Sequence, residues 1–343
     1  MKSAPLFWRN RSWRAVSLLP IAALFRSLAA LRRSLYRHGA LPREQFPVPV
    51  IVVGNIAVGG SGKTPVVLWL IEALREAGRH PGIVSRGHGG RAAASGTPHL
   101  VATDPDSSPD PGFYGDEPVM LARQAGCPVA VGRDRPAAAR ALLAAHPECD
   151  VIVSDDGMQH YRLARTVEIA VVDEAALGNY WPLPSGPLRE PPERLAGADL
   201  ILAHGELSPR LRLMTGSVPV VPMRLVGERF RSLARPDEWC SAEAFAGKKV
   251  HALAGIGQPQ RFFDQLTAMG LDIIPHPFPD HYRYCAADLD FAPGEAKLMT
   301  SKDAVKCAAF APPDAWELPV RAIIDAGAIA PVLEKLDDGR QTA

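Results

Sequence analysis

Short apolar runs alternate with helical patterns of hydrophobic residues over the middle of the chain. The apolar runs are rich in β-branched residues, which predicts strands at residues 48–53, 82–85, 128–131, 151–154, 168–172 and 199–203. The segments between them predict helices at residues 65–77, 117–125 and 135–145. Strands that alternate with helices in this way form a parallel sheet covered by helices. The chain is therefore predicted to have an α/β fold.

The pattern changes at two places along the chain. Residues 89–115 are rich in Pro, Ser, Asp and Gly, and they predict a long loop of the kind that often carries function. After the proline-punctuated segment 218–223, a second α/β unit is predicted, with strands at residues 249–254 and 271–275 and a helix at residues 258–269. Because 343 residues exceed the usual size of a single core, two domains are expected.

The start of the chain combines an apolar face with basic residues. On a helix, one face carries Ile21, Leu24, Phe25, Leu28, Leu31 and Leu35, and the opposite face carries Arg26, Arg33 and Arg37. The uninterrupted apolar run, residues 15–25, is too short to span a bilayer. This pattern predicts a helix that lies in a membrane interface. A cleaved signal peptide and a helix that caps the core or a partner remain the alternatives.

Charge and cysteine content agree with a cytosolic protein that touches a membrane. The chain has 38 basic and 37 acidic residues, but no acidic residue occurs up to Arg43, so the rest is mildly acidic. Anionic lipid would stabilise each arginine near its surface by about 1 kcal/mol. The five cysteines are widely spaced and form no C-x-x-C pair, which argues against a disulfide framework or a zinc site.

The strongest chemical signal is a glycine-rich segment that follows the first predicted strand. Its residues are Ala57, Val58, Gly59, Gly60, Ser61, Gly62, Lys63 and Thr64, which fit the Walker A pattern except that alanine holds the first glycine position. Backbone N–H groups and the positive end of the following helix are expected to face phosphate oxygens. Lys63 is then expected to contact the β- and γ-phosphates of ATP, and Thr64 to ligate Mg²⁺.

A P-loop also needs a carboxylate from an adjacent strand to hold the metal. Asp155 and Asp156 end the apolar run 151–154, where the strand would meet the nucleotide, and either is the predicted Walker B group. An ordinary strand-to-loop turn is the alternative, because Asp-Gly is common in turns. Asp116 and Glu117 open a predicted helix, where capping and dipole effects alone would explain acids. A kinase also requires a proton acceptor, for which Asp116 is a candidate.

These patterns predict three units in the chain. Residues 1–44 are expected to form a basic, amphipathic, membrane-associated helix. Residues 45–222 are expected to form a kinase core with the P-loop NTPase fold. Residues 223–343 are expected to form a second, smaller α/β domain, with the option that its last helix packs back on the core.

Three further segments bunch polar residues with glycine or proline. They are residues 85–90, 187–190 and 279–282. Each is explained singly as a surface turn, and together they suggest a pocket for phosphate and sugar. Arg86 and Arg189 are candidates to neutralise phosphate charge, and His281 to assist or orient a base.

The chain resembles one family, the lipid A tetraacyldisaccharide 4′-kinases of Gram-negative bacteria. The likeness rests on VGN-x-x-VGGSGKTP (53–65), SRG-x-GG (85–90), GDEP (115–118), DDG-x-QH (155–160), GPLRE (186–190), GIG-x-P-x-RFF (255–263), FPDH (278–281) and KDAVK (302–306). These motifs keep the family's order across nearly the whole chain. The sequence departs from the family pattern at His88, Met158, Tyr282 and Ser301, which leaves the sugar contacts open.

The resemblance implies transfer of the γ-phosphate of ATP to the 4′-hydroxyl of a tetraacyldisaccharide 1-phosphate, a lipid A precursor. By matching motifs, Asp116 corresponds to the catalytic base and pairs with His281, with Lys63 and Arg189 also catalytic. The metal set is Thr64, Asp155, Asp156 and Glu117, and the substrate set is Arg86, Asn55, Gln159 and His160. Because Asp116 and His281 belong to different predicted domains, their pairing is expected to require domain closure.

The family comparison also implies a location. The protein is expected at the cytoplasmic face of the bacterial inner membrane, as a monomer with no nucleic-acid partner. Two other classes of protein remain alternatives: a regulatory or metal-delivery NTPase, and a kinase of a soluble sugar or cofactor. The guanine-reading Asn-Lys-x-Asp motif is not found, and the nearest string, Ser301-Lys302-Asp303, lacks its spacing.

Overall fold

The computed structural model describes residues 5–103 and 107–339. The helices are α1 (Trp13–Ser17), α2 (Leu19–Arg37), α3 (Lys63–Glu76), α4 (Pro111–Tyr114), α5 (Asp116–Ala125), α6 (Arg135–Ala145), α7 (Pro209–Met214), α8 (Pro259–Ala268), α9 (Ser301–Cys307) and α10 (Ala330–Asp337). The strands are β1 (Val50–Gly54), β2 (Pro81–Ser85), β3 (His99–Val101), β4 (Val129–Val131), β5 (Val151–Asp155), β6 (Val167–Val172), β7 (Leu200–His204), β8 (Val220–Val226), β9 (Arg229–Ser232), β10 (Trp239–Ser241), β11 (Lys249–Ala254), β12 (Asp272–Pro277), β13 (Lys297–Thr300), β14 (Ala315–Leu318) and β15 (Arg321–Ile324). Short 3₁₀ helices lie at Leu6–Arg9, Arg91–Ala94, Glu174–Leu177, Pro192–Gly197, Ala242–Phe245, Ala286–Asp288 and Ala326–Ile329.

Nine strands form the larger sheet, in the order β15-β8-β7-β6-β1-β5-β2-β4-β3. The seven central strands run parallel, and the two edge strands, β3 and β15, are antiparallel to their neighbours. The central strand β1 is buried along its whole length, because helices cover both faces of the sheet. Ile51 packs toward α3 on one face, and Val52 packs toward α6 on the other. The predicted α/β fold with a mostly parallel sheet is confirmed.

Six strands form the smaller sheet, in the order β10-β9-β14-β13-β11-β12. Strands β12, β11, β13 and β14 are parallel to one another. At one edge, β9 pairs antiparallel with β14, and β10 pairs antiparallel with β9. Helix α8 covers this sheet through Phe262, Phe263 and Leu266, which join its apolar core. The two sheets are therefore separate layers with separate cores.

The chain crosses between the two sheets twice. Strand β8 continues to Val226, beyond the expected boundary at residue 222, and β15 returns to pair with it after the smaller sheet is complete. Helix α10 then packs on the core of the larger sheet through Val332 and Leu336. An ion pair between Lys335 and Asp199 anchors the same helix. The last helix thus lies against the larger sheet.

The segment 89–115 contains more structure than the predicted loop. It holds a 3₁₀ helix, the edge strand β3 and the short helix α4, which Asp110 caps by accepting a hydrogen bond from the Gly112 N–H at 2.7 Å. Strand β3 pairs with β4 over only three residues. So short a strand carries too few residues for an alternating pattern to reveal it.

Helix α2 keeps its apolar face outward. Ile21, Leu24, Leu28 and Leu31 are each more than half exposed, while Ala22 on the other side is fully buried. In the described part of the chain, no helix is long and apolar enough to cross a bilayer. The outward face is therefore an unusual row of large apolar side chains on the protein surface.

Candidate active site

The P-loop joins β1 to α3 at the carboxyl edge of the larger sheet. Gly59 and Gly62 have φ values of +117° and +79°, which side chains with a Cβ rarely adopt. Lys63 opens α3, and its Nζ lies 3.4 Å from the Gly59 carbonyl oxygen and 3.6 Å from Asp156 Oδ1. Thr64 follows in the first helical turn and is partly exposed. The loop therefore presents its amides, the lysine and the helix N-terminus to one side.

Asp156 connects the lysine to Arg189. The Arg189 Nη1 donates to both carboxylate oxygens of Asp156, at 3.1 and 3.0 Å, and lies 3.3 Å from Gln159 Oε1. Burial opposes ionisation of Asp156, but the charges of Lys63 and Arg189 prevail and lower its pKa below the usual range. Its φ of +47° is a strained value for a non-glycine residue, as often found at functional sites.

Asp155 has a different environment from its neighbour. It ends β5, is 2% exposed, and accepts a hydrogen bond from Ser85 Oγ at 3.1 Å. Burial raises the pKa of Asp155 to about 7, with further contributions from the charges of Glu117 and Asp156. The charges of Glu117 and Asp156 thus both act on the Asp155 carboxylate and oppose its ionisation.

The acids near the P-loop are candidates to hold a divalent cation together with a nucleotide. Among residues 5–103 and 107–339, no group of three or more His, Cys, Asp or Glu side chains is arranged to hold a metal ion by itself. Mg²⁺ does not require one, because it is usually bound by one or two carboxylates together with substrate phosphates and water. The donor set of Thr64, Asp155, Asp156 and Glu117 therefore suits Mg²⁺ with a nucleotide.

Asn55 follows β1, Gln159 lies in the loop after β5, and hydrogen bonds connect the two segments. Asn55 Nδ2 donates to Ser61 Oγ at 3.0 Å, and Gln159 Nε2 donates to the Asn55 carbonyl oxygen at 2.9 Å. The Gln159 carbonyl oxygen accepts a hydrogen bond from Arg32 of α2 at 3.0 Å. The amino-terminal helix thus contacts the loop that carries Asp156.

Asp116 and His281 lie together although 165 positions separate them. His281 Nδ1 is 3.1 Å from Asp116 Oδ2, so the pair joins the first turn of α5 to the loop after β12. Asp116 is 9% exposed, and His281 has a strained φ of +59°. The His88 ring packs edge-on against His281, with 5.4 Å between centroids. The pair therefore sits at the junction of the two sheets.

Helix α9 completes this junction. Val305 of α9 packs with Val119 and Met120 of α5. Lys302 Nζ lies 3.3 Å from Glu117 Oε1, and Lys306 Nζ lies 4.0 Å from Asp116 Oδ2. Two cations thus flank the acids that open α5.

Two further predicted substrate residues, Arg86 and His160, lie on the loops after β2 and β5. Arg86 follows β2 and is exposed, next to His88, whose pKa is lowered by burial and by the charges of His281 and Arg86. His160 lies in the loop after β5, and burial together with Arg135 lowers its pKa to about 4. Within the described residues, neither Arg86 nor His160 forms a hydrogen bond or an ion pair with Asp116 or His281.

Sequence reasoning assigned no role to several residues that build the site. Arg135 is 3% exposed and donates to the carbonyl oxygens of Gly132 at 3.0 Å and Asp155 at 2.9 Å. Its only sequence signal was a position just after a strand, at the start of a helix. Lys302 and Lys306 stood in a family motif but were given no function.

The comparisons identify the family of the chain. The family profile described as LpxK, tetraacyldisaccharide-1-P 4′-kinase, matches residues 14–337. The tetraacyldisaccharide 4′-kinase of Azoarcus sp. (strain BH72) is 65% identical over 100% of this chain and 98% of its own length, and that of Aromatoleum aromaticum is 61% identical over 100% and 99%. The "apo" form crystal structure of LpxK from Aquifex aeolicus in complex with ATP is 28% identical, with a TM-score of 0.77, over 95% of this chain and 98% of that one. The predicted family and fold are thus confirmed, and this chain belongs to the tetraacyldisaccharide-1-P 4′-kinase family.

Proposed function

We propose that this chain transfers the γ-phosphate of ATP to the 4′-hydroxyl of a tetraacyldisaccharide 1-phosphate. The carrying observation is the pair formed by Asp116 and His281 beside a P-loop whose lysine faces Asp156. Glu117 links the two groups, because its charge contributes to the raised pKa of Asp155. The proposed function requires the proton acceptor and the phosphate site to act on one bound pair of substrates.

Asp116 is the group that accepts the proton of the attacking sugar hydroxyl. His281 holds the Asp116 carboxylate from the smaller domain, and the hydroxyl oxygen attacks the γ-phosphorus in line with the leaving oxygen. Lys63 and Arg189 lie where negative charge spreads over the transferred group, and they stabilise that charge. Arg86, Asn55, Gln159 and His160 would contact the sugar or its phosphate.

Mg²⁺ would be held by Thr64, by Asp155 or Asp156, and by Glu117, and when bound it neutralises charge on the nucleotide phosphates. Asp156 is already paired with Lys63 and Arg189, whereas the Asp155 carboxylate accepts from Ser85 Oγ. The engagement of Asp156 with two cations favours Asp155 as the metal ligand.

A direct assay tests this function. Purified protein, ATP, Mg²⁺ and a tetraacyldisaccharide 1-phosphate are expected to give the bisphosphate product, measured by mass spectrometry. Excess unlabelled GTP should compete poorly with ATP, which separates this function from that of a regulatory GTPase. Phosphorylation of a soluble disaccharide at the same rate as the lipid would contradict the assignment of a lipid acceptor.

The exposed apolar face of α2 supports a place at the cytoplasmic face of the inner membrane. Four leucine or isoleucine side chains point outward on a helix whose Arg32 also contacts the loop of Asp156. An interfacial helix of this kind would hold the active site near an acceptor that resides in the lipid phase. The protein would act there as a monomer without a nucleic-acid partner.

Membrane binding should depend on this face of α2. Replacing Leu24 and Leu28 together by glutamate is expected to lower binding to anionic vesicles at least about tenfold, because burial of each leucine contributes about 1.5–3 kcal/mol. Flotation with vesicles measures the bound fraction. The control is Leu213→Glu, since Leu213 is 85% exposed on the unrelated helix α7. Equal binding of the double variant and the control would contradict an interfacial role.

A further inference from the structure

Lys302 lies next to His281, at the imidazole nitrogen that does not face Asp116. Its Nζ lies 3.5 Å from His281 Nε2, while His281 Nδ1 lies 3.1 Å from Asp116 Oδ2. The Lys302 side chain is 18% exposed and also faces Glu117. The imidazole therefore has a carboxylate at one nitrogen and an ammonium group at the other.

The fold fixes the position of this ammonium group. Thr300 caps α9 by accepting a hydrogen bond from the Asp303 N–H at 3.2 Å, which sets where the helix begins. Asp303 is fully buried, and its Oδ2 accepts from the Gly255 N–H at 3.0 Å. The Gly255 carbonyl in turn accepts from the His281 N–H at 3.3 Å. Helix α9 and the loop of His281 are thus tied together through Asp303.

An ammonium group can only donate hydrogen bonds, and this decides the tautomer of a neutral imidazole beside it. A proton on Nε2 would point toward the Lys302 cation, whereas a lone pair on Nε2 accepts from it. The ring proton then stays on Nδ1 and is donated to Asp116. We infer that Lys302 is a positioning residue that keeps His281 in the Nδ1–H form, so that His281 donates to the Asp116 carboxylate.

The other groups that face His281 do not reverse this preference. Asp280 Oδ1 lies 3.9 Å from His281 Nε2, but it is also 3.9 Å from the Lys302 Nζ, so its charge is shared with the cation. The His88 ring packs edge-on against the imidazole. Lys306 lies on the Asp116 side, with its Nζ 4.0 Å from Asp116 Oδ2, so its charge faces the carboxylate rather than His281 Nε2.

This inference rests on the proposed role of Asp116 and His281, and it adds a testable consequence. Lys302→Met removes the donor while keeping an unbranched side chain of similar length. It is expected to lower kcat about ten- to a hundredfold with little change in the KM for ATP, the range typical of lost support for a catalytic group. Lys302→Arg, which keeps the charge and the donors, is expected to restore most of kcat. The control Lys249→Met changes an exposed lysine of the same domain.

Nitrogen NMR of the histidines gives a readout that does not depend on turnover. In mildly alkaline buffer, protein labelled with ¹⁵N-histidine should show protonated Nδ1 and unprotonated Nε2 for His281, assigned by the loss of these signals in His281→Gln. Lys302→Met should add the Nε2–H form. An unchanged tautomer, or an unchanged kcat, in folded Lys302→Met would overturn the inference. Failure of the proposed function is separate, because it would appear as near-normal turnover in Asp116→Asn.

Discussion

Asp116→Asn is expected to lower kcat by about 10²- to 10⁴-fold, which is the usual contribution of a positioned proton acceptor. The amide keeps the size of the carboxylate but cannot take the proton of the sugar hydroxyl. Binding of ATP should change little, since the P-loop lies on a different element from Asp116. Turnover is measured with the lipid acceptor, and nucleotide affinity is measured separately by a fluorescent ATP analogue.

The matched control for this variant is Asp110→Asn. Asp110 lies in the same segment, caps α4 and pairs with Arg91 at the surface. Its replacement should cost about 1 kcal/mol of stability at most and leave kcat unchanged. If kcat fell by a similar factor in both variants, the effect would come from disturbance of this segment rather than from lost proton transfer. Retained turnover in folded Asp116→Asn would remove the proposed base.

Lys63→Met is expected to lower kcat by at least about 10²- to 10³-fold and to weaken ATP binding as well. The ammonium group is lost from a position beside Gly59 and Asp156, where the nucleotide phosphates are expected. Asp156 would also lose one of the three cations that lower its pKa, Lys63, Arg189 and Arg135. The effect should therefore appear in both kcat and the KM for ATP, unlike that of Asp116→Asn.

A second lysine provides the control for Lys63. Lys248 is exposed near the start of β11, and its Nζ donates to the Ala244 carbonyl oxygen at 3.0 Å. Lys248→Met removes the same charge from the protein without touching the P-loop. If Lys63→Met bound and turned over ATP as this control does, the glycine-rich loop would not be the phosphate site.

The opposite pKa directions of Asp155 and Asp156 show how local structure separates adjacent carboxylates. Asp156 turns outward to Lys63 and Arg189, which favour its charge, whereas Asp155 stays at the end of β5 beside Ser85. The sequence DD predicted two equivalent candidates for the metal. Asp155 ends β5, whereas Asp156 has a φ of +47° and leaves the strand conformation.

Local pattern predicted the parts of the fold that local forces dominate. The buried strands of the larger sheet and the helices between them are long enough for periodicity to be visible. Several other elements were not predicted, because most are short and their conformation depends on neighbours in the sheet or in the loop. They are β3, β8, β9, β10, β13, β14, β15, α4, α7 and α9. The boundary near residue 222 fell within β8 for the same reason.

By itself, the sequence determined the P-loop, the two strand-end acids, the amphipathic start of the chain and the family. These features depend on residues that are close along the chain, so spacing is enough to recognise them. The family resemblance already implied that Asp116 pairs with His281, and the structure shows the geometry of that pair. Only the tertiary structure decided that Arg135 supports Asp155 and that Lys302 reaches His281. These two contacts join side chains on different elements, 20 and 21 positions apart, and their geometry depends on how those elements pack rather than on any local pattern.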